Sequence, residues 1–138
     1  MIEYQGTHNN MPYKVTFNEQ MGFRCGYVGI PKYMSLYKVP YDHIPILLYN
    51  CHGGLTYSGF FDVVDDEFWY LGYDCGHYCD GIDLASVRKY CGDNDAETMK
   101  NSELYKLKKD KHAYTLDECL EMCFDMIDQI VNYELSII

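Results

Sequence analysis

Long apolar runs and the features of a secretory signal are both lacking in this sequence. The longest apolar run, residues 44–49 with Pro45 inside it, is far shorter than the ~18 residues that span a bilayer. The first residues, Met1 to Gln5, have neither the charged start nor the apolar core of a signal peptide. We therefore expect no transmembrane segment, no membrane partner, and a location in a reducing cytoplasm.

Basic residues are also scarce: 11 Lys and Arg stand against 21 Asp and Glu, a formal net charge of −10. Direct binding to nucleic acid is not expected, because it needs clustered Lys and Arg. Residues 62–83 hold seven carboxylates and residues 115–138 hold six, with no Lys or Arg in either range. Such regions either keep a protein soluble or attract the basic groove of a nucleic-acid-binding protein.

Cysteine is present, but not in a pattern that favours a disulfide scaffold. The chain has 7 cysteines, an odd number, in 138 residues. That length is typical of one domain, so we expect residues 1–138 to form a single compact domain. In a reducing compartment the thiols are then either core residues or metal ligands.

The first half of the chain has the pattern of short strands separated by turns. Residues 13–17 alternate cleanly, and with residues 24–30 they predict a hairpin. Residues 32–45, with two of the four prolines, predict an irregular loop. Further strands are expected at residues 46–49, 55–61 and 68–73, the last being rich in aromatic residues.

The second half predicts helices. Asp83 can cap a short helix through Tyr90 that Gly92 stops, and residues 96–109 contain good helix formers. Thr115 and Glu118 have the spacing of a capping box before a strongly amphipathic helix. Strands first and helices later favour an α+β fold: an antiparallel sheet in the N-terminal half, covered by the C-terminal amphipathic helix, with shorter helices between.

Two glycine-bounded clusters carry the residue types of a metal site. One begins at Cys51 and His52, and the other runs from Asp74 to Gly81. Imidazole and carboxylate, with thiolate where needed, form the ligand set expected for zinc. Asp74, His77 and Asp80 are three residues apart, so a tight or helical turn would aim them one way. We expect Zn²⁺ bound by His52, Asp74, His77 and Asp80.

Alternatives to this ligand set remain open. Cys75 or Cys79 could replace either carboxylate, and Cys51 is a further candidate. Hydrogen-bonded histidines and solvated acids, without any metal, would also explain the two clusters. If a metal is bound, the abundance of ligands favours a structural site over a catalytic one, which keeps a position for water. We assign no catalytic residue and expect the protein not to be an enzyme.

Three segments resemble a family of small proteins encoded by tailed bacteriophages and prophages. They are RCGYVGIP at residues 24–31, HGGLTYSG at 52–59 and WYLGYD at 69–74, the last followed by His77 and Asp80. With the helix start at residues 114–116, the resemblance covers roughly residues 13–131. The family's Asp-x-x-His-x-x-Asp pattern falls on Asp74, His77 and Asp80, which implies these ligands ahead of the cysteines. The extra cysteines of this chain leave the fourth ligand open.

The chain also resembles acidic phage inhibitors of type II CRISPR nucleases that contain zinc. This resemblance implies an anti-CRISPR in the host cytoplasm that binds a type II CRISPR effector nuclease, or another basic nucleic-acid-binding protein, stoichiometrically. It would block loading of nucleic acid, with zinc in a structural role. The alternatives are a zinc-dependent hydrolase of a phosphodiester or nucleotide signal and a phage housekeeping protein.

Overall fold

A computed structural model describes residues 1–44, 52–62 and 64–138. In this part of the chain an antiparallel sheet is followed by four helices. The strands are β1 (Ile2–His8), β2 (Met11–Asn18), β3 (Phe23–Pro31), β4 (Tyr57–Gly59) and β5 (Phe68–Asp74). Their spatial order is β1-β2-β3-β5-β4, and every neighbouring pair is antiparallel. The helices are α1 (Leu84–Cys91), α2 (Asp93–Lys100), α3 (Glu103–Lys108) and α4 (Leu116–Ser136).

This architecture confirms the predicted α+β fold. The predicted hairpin of residues 13–17 and 24–30 is the β2–β3 pair, in which Val15 lies opposite Gly26. The aromatic strand is β5, and the strand expected at residues 55–61 shortens to β4. The strand expected at residues 46–49 lies outside the described residues. Residues 32–44 form the expected irregular connection, with one 3₁₀ turn at Tyr41–His43.

Strand β1 was not predicted. Its side chains are mostly exposed, so the sequence lacks the apolar alternation that identifies β2. Glu3 is the exception, because its carboxylate is buried in an ion pair with Arg24 of β3. The strand occupies one edge of the sheet.

The expected helix over residues 96–109 is two helices, α2 and α3. Ser102 separates them, and its hydroxyl accepts a hydrogen bond from the backbone N–H of Tyr105, which caps α3. The other predicted helix ends are confirmed. Asp83 caps α1 through the N–H of Ser86, and Gly92 ends it at a positive φ of 96°. The capping box of Thr115 and Glu118 opens α4.

The main core lies between α4 and one face of the sheet. The buried side of α4 consists of Cys119, Cys123, Met126, Ile127 and Ile130, and it packs against alternate residues of β2, β3 and β5: Met11, Tyr13, Val15, Val28, Ile30, Leu71 and Tyr73. The hydroxyl of Tyr73 donates to the carbonyl of Cys119 at 2.7 Å, which fixes the helix on the sheet. A smaller cluster of Phe17, Val87 and Ala96 anchors α1 and α2.

Among the described residues, no helix has both the length and the hydropathy of a membrane-spanning segment.

Candidate metal centre

Two loops meet where β4 begins and β5 ends. Tyr57 of β4 lies opposite Gly72 of β5 in an antiparallel pair. The residues before β4 and those after β5 therefore emerge at the same end of the sheet. His52 lies on the first loop, and His77 and Asp80 lie on the second. Sheet register, rather than local sequence, thus brings the two glycine-bounded clusters together.

His52, His77 and Asp80 converge through one donor atom each, and all three atoms lie within 4.8 Å of one another. The Nε2 atom of His52 is 2.8 Å from Oδ1 and 2.9 Å from Oδ2 of Asp80. The Nδ1 atom of His77 is 3.2 Å from the same Oδ2. Two imidazoles and one carboxylate at this separation could hold a metal ion.

Asp80 is the most buried residue of this group. Only 1% of the residue is exposed, and the backbone N–H of His77 donates to its Oδ2 at 3.0 Å. Burial raises the pKa of Asp80, but the hydrogen bonds from His52 and His77 outweigh it and hold the pKa below its usual range. The carboxylate is therefore ionised at neutral pH, as a metal ligand must be.

The local backbone is shaped for this convergence. Gly53 has a φ of 67°, and a Cβ there would lie 2.6 Å from Cε1 of His77. A side chain at this position would therefore force the His77 ring to shift. On the other loop, the N–H of Gly81 donates to the carbonyl of His112 at 2.7 Å. A Cβ at Gly81 would lie 2.1 Å from the carbonyl oxygen of Lys111.

Asp74, the fourth expected ligand, lies beside the group but not in it. Its Oδ1 is 3.6 Å from Nδ1 of His77 and accepts a hydrogen bond from the N–H of Gly76 at 3.0 Å. The spacing of three residues does bring His77 and Asp80 together. The Asp74 carboxylate instead stabilises the turn that leads to them.

The cysteine alternatives lie elsewhere or outside the described residues. Cys75 faces the core, and its Sγ is 3.8 Å from Sγ of Cys119. Contact with the Cys119 sulfur and burial raise the pKa of Cys75, so it remains a thiol. Cys79 is exposed and is not part of the three-donor group. Cys51 lies outside the described residues.

Three neighbours of the site were not predicted. The Tyr114 ring packs on His52 with centroids 4.4 Å apart, and His112 packs on Tyr114 at 4.7 Å. Lys108 donates from Nζ to the carbonyl of His77 at 3.0 Å. These residues follow His77 and Asp80 by about 30 positions or more. No spacing signal in the sequence connects them to it.

No protein-family model, no curated protein and no solved structure matches this chain at a significant level.

Proposed function

We propose that this chain is a zinc-containing binding protein that inhibits a host defence enzyme. In its most concrete form it is a phage-encoded anti-CRISPR that binds a type II RNA-guided nuclease and blocks loading of nucleic acid. The observation that carries this proposal is the charge distribution on α4. Zinc would act structurally, by holding the two loops of the candidate metal centre together.

The outer face of α4 carries a row of exposed carboxylates, here called the acidic stripe: Asp117, Glu121, Asp125 and Asp128. The helix contains six acidic residues and no Lys or Arg. At 1.5 Å per residue the stripe is about 16 Å long, with neighbouring carboxylates about 5–6 Å apart along the axis. A regular row of negative charge can compete with a phosphate backbone for a basic groove.

The basic residues are segregated from this stripe. Seven of the 11 Lys and Arg lie between Arg88 and Lys111, on α1 to α3 and the segment that follows. The guanidinium of Arg24 is buried and paired with Glu3 and Asp83. The face that α4 presents is therefore strongly negative, which supports a basic protein as partner.

The test is cleavage of target DNA by purified type II effector nucleases, with the protein added before or after guide RNA. We expect inhibition that saturates near one protein per nuclease and weakens as salt rises, because exposed charges are screened. The variant Asp117→Asn/Glu121→Gln/Asp125→Asn should raise the half-inhibitory concentration about tenfold, at about 0.5 kcal/mol per lost charge pair.

A matched control removes three exposed carboxylates from other elements: Asp42→Asn/Glu97→Gln/Glu103→Gln. It reduces the net negative charge by the same three units and should change inhibition less than about twofold. Equal weakening by both variants would show that net charge, not the stripe, is responsible. Absence of inhibition at low salt by the unaltered protein would contradict the proposal directly.

The zinc assignment is tested separately by elemental analysis and by chelation. Two imidazoles and one carboxylate are typical zinc ligands. We expect one zinc ion per chain, and removal by a chelator should lower the melting temperature, because metal binding and folding are coupled. A metal-free protein with unchanged melting behaviour in added zinc would contradict a structural role.

A zinc-dependent hydrolase of a phosphodiester or nucleotide signal is the second candidate. It is favoured by the number of donors, since three protein ligands with an open position are typical of catalytic zinc. His77→Ala separates the two functions. Loss of a structural ligand should reduce stability and inhibition together, whereas loss of a catalytic ligand should leave a folded protein without hydrolytic activity.

A further inference from the structure

The candidate metal centre lies against the most basic segment of an acidic protein. Residues 106–111 contain four lysines and one aspartate, in a chain whose net charge is −10. The hydrogen bond from Gly81 to the carbonyl of His112, directly after this segment, docks the loop that carries His77 and Asp80 next to it. The close approach of Gly81 to Lys111 leaves no room for a side chain between them.

Two of these lysines contact the loop that carries His77 and Asp80. Lys108 donates from Nζ to the carbonyl of His77 at 3.0 Å, and Nζ of Lys111 lies 4.5 Å from the ring centroid of Tyr78. Both side chains are half-buried, whereas Lys106 and Lys109 are exposed. An ammonium group has three donors, so Lys108 keeps two for another acceptor while it is bonded to His77.

A divalent ion together with Lys108 and Lys111 would outweigh the two nearby carboxylates, Asp80 and Asp74, the latter 3.6 Å from Nδ1 of His77. The three donors supply one carboxylate, and both imidazoles bind a metal in their neutral form. Tetrahedral zinc needs a fourth ligand beyond these three. The His52 and His77 side chains are 23% and 34% exposed, so the outer side of the group is open to solvent. An anion at the remaining position would be attracted by the ion and by two ammonium groups.

We propose that the metal-loaded site binds a phosphate group. One phosphate oxygen completes the metal coordination, and Lys108 and Lys111 pair with the other oxygens. Phosphate fits this arrangement better than a carboxylate, because it offers three or more oxygens and up to two negative charges. The inference rests on the metal of the proposed function and is independent of the inhibitory role.

The source of the phosphate is either a nucleotide or free phosphate. Tyr78 is 77% exposed beside Lys111, and an exposed aromatic ring is a surface on which a base can stack. Both sources share the same phosphate contacts. The experiment therefore compares a nucleoside monophosphate with inorganic phosphate.

The test uses the protein loaded with Co²⁺, whose visible absorption reports its coordination. Co²⁺ loading is measured first. If the protein binds no Co²⁺, no cobalt spectrum appears, and the proposal is overturned before phosphate is added. Inorganic phosphate and adenosine monophosphate are then titrated, with acetate as the competing anion. We expect both phosphates to change the spectrum saturably at concentrations where acetate does not. Tighter binding of the nucleotide would support a nucleotide source, and equal binding would support free phosphate.

Lysine variants locate the contact. Lys108→Met and Lys111→Met should each load Co²⁺ normally and weaken phosphate binding about tenfold, since each removes a charge-assisted hydrogen bond. The exposed pair, Lys106→Met and Lys109→Met, is the control and should change binding less than about twofold. If Lys108→Met binds Co²⁺ poorly, the phosphate contact is judged from Lys111→Met alone. An unchanged cobalt spectrum in phosphate, or equal weakening by the control pair, would overturn the proposal.

Discussion

Arg24 is a buried, ion-paired residue whose removal should strongly destabilise the fold. It is 3% exposed, and its guanidinium holds Glu3 of β1 in a two-point ion pair, with N–O distances of 2.6 and 2.9 Å. It also donates to Asp83 at 2.7 Å and to the carbonyl of Tyr114 at 3.0 Å. One side chain thus connects the edge strand β1, the start of α1 and the start of α4.

The Arg24→Met variant keeps a long apolar side chain but leaves the carboxylates of Glu3 and Asp83 without their cationic partner. The side chains of Glu3 and Asp83 are 5% and 20% exposed. Breaking a buried ion pair from one side costs about 3–5 kcal/mol. At about 2.1 cal/mol/K per residue, unfolding 138 residues has an entropy of about 0.3 kcal/mol/K, so the melting temperature should fall by about 10–17 °C.

Arg88→Met is the matched control. Arg88 also faces two carboxylates, Asp93 at 3.2 Å and Glu97 at 3.3 Å, but its side chain is 45% exposed. Exposed pairs contribute at most about 1 kcal/mol, so the melting temperature should fall by about 3 °C or less. Both variants are compared with the unaltered protein by urea and thermal unfolding at pH 7.

A second variant tests the cause of the loss. Glu3→Gln/Arg24→Met removes the orphaned charge on β1 and should be more stable than Arg24→Met alone, because much of the cost comes from the unpaired carboxylate. Equal losses of unfolding free energy in Arg24→Met and Arg88→Met would contradict the role assigned to the buried ion pair. A further loss of stability on neutralising Glu3 in the Arg24 variant would contradict it as well.

Three further predictions concern the cap of α4, the loop that carries His52, and acidic pH. Thr115→Ala removes the side-chain cap of α4 and should cost about 1 kcal/mol in urea unfolding; no loss would show that the cap contributes nothing. Gly53→Ala should weaken Co²⁺ binding about tenfold by displacing His77. The control is Gly92→Ala, at a position with φ 96° and no atom within 4 Å, which should lower stability without changing Co²⁺ binding. Equal Co²⁺ affinity in the two variants would contradict this prediction. Burial raises the pKa of Glu3, but hydrogen bonds from Arg24 and Tyr90 outweigh it and lower the pKa overall. The ionised Glu3 carboxylate therefore stabilises the folded state above about pH 5, and this contribution is lost as the pH falls below about 4. An unfolding free energy that does not decrease between pH 5 and pH 3 would contradict that assignment.

Structural features that depend on a few neighbouring residues could be predicted from the sequence. The capping box of α4 needs only Thr115 and Glu118, and β5 shows its aromatic pattern within seven residues. Strand β1 could not be predicted, because at the sheet edge most of its side chains are exposed and the buried Glu3 pairs with a residue 21 positions away. The division between α2 and α3 depends on one serine hydroxyl competing with helix continuation.

The candidate site divides in the same way. His77 and Asp80 are neighbours through a local turn, so their spacing was informative. The place of His52 depends on the pairing of β4 with β5, which the sequence suggested only through matching glycine-bounded loops. The roles of Tyr114 and Lys108 follow from the docking of a distant segment. Such contacts depend on tertiary packing, which residue spacing does not encode.

The separation of the metal donors along the chain has one more consequence. An ion shared by His52 and Asp80, 28 residues apart, would act as a reversible cross-link around a segment that contains all of β4 and β5. The unfolded chain would have to close this loop to keep the ion, at a cost of about 3.6 kcal/mol, so the ion would bind almost entirely to the folded protein. Resistance to proteolysis would then rise and fall with the free metal concentration around the protein.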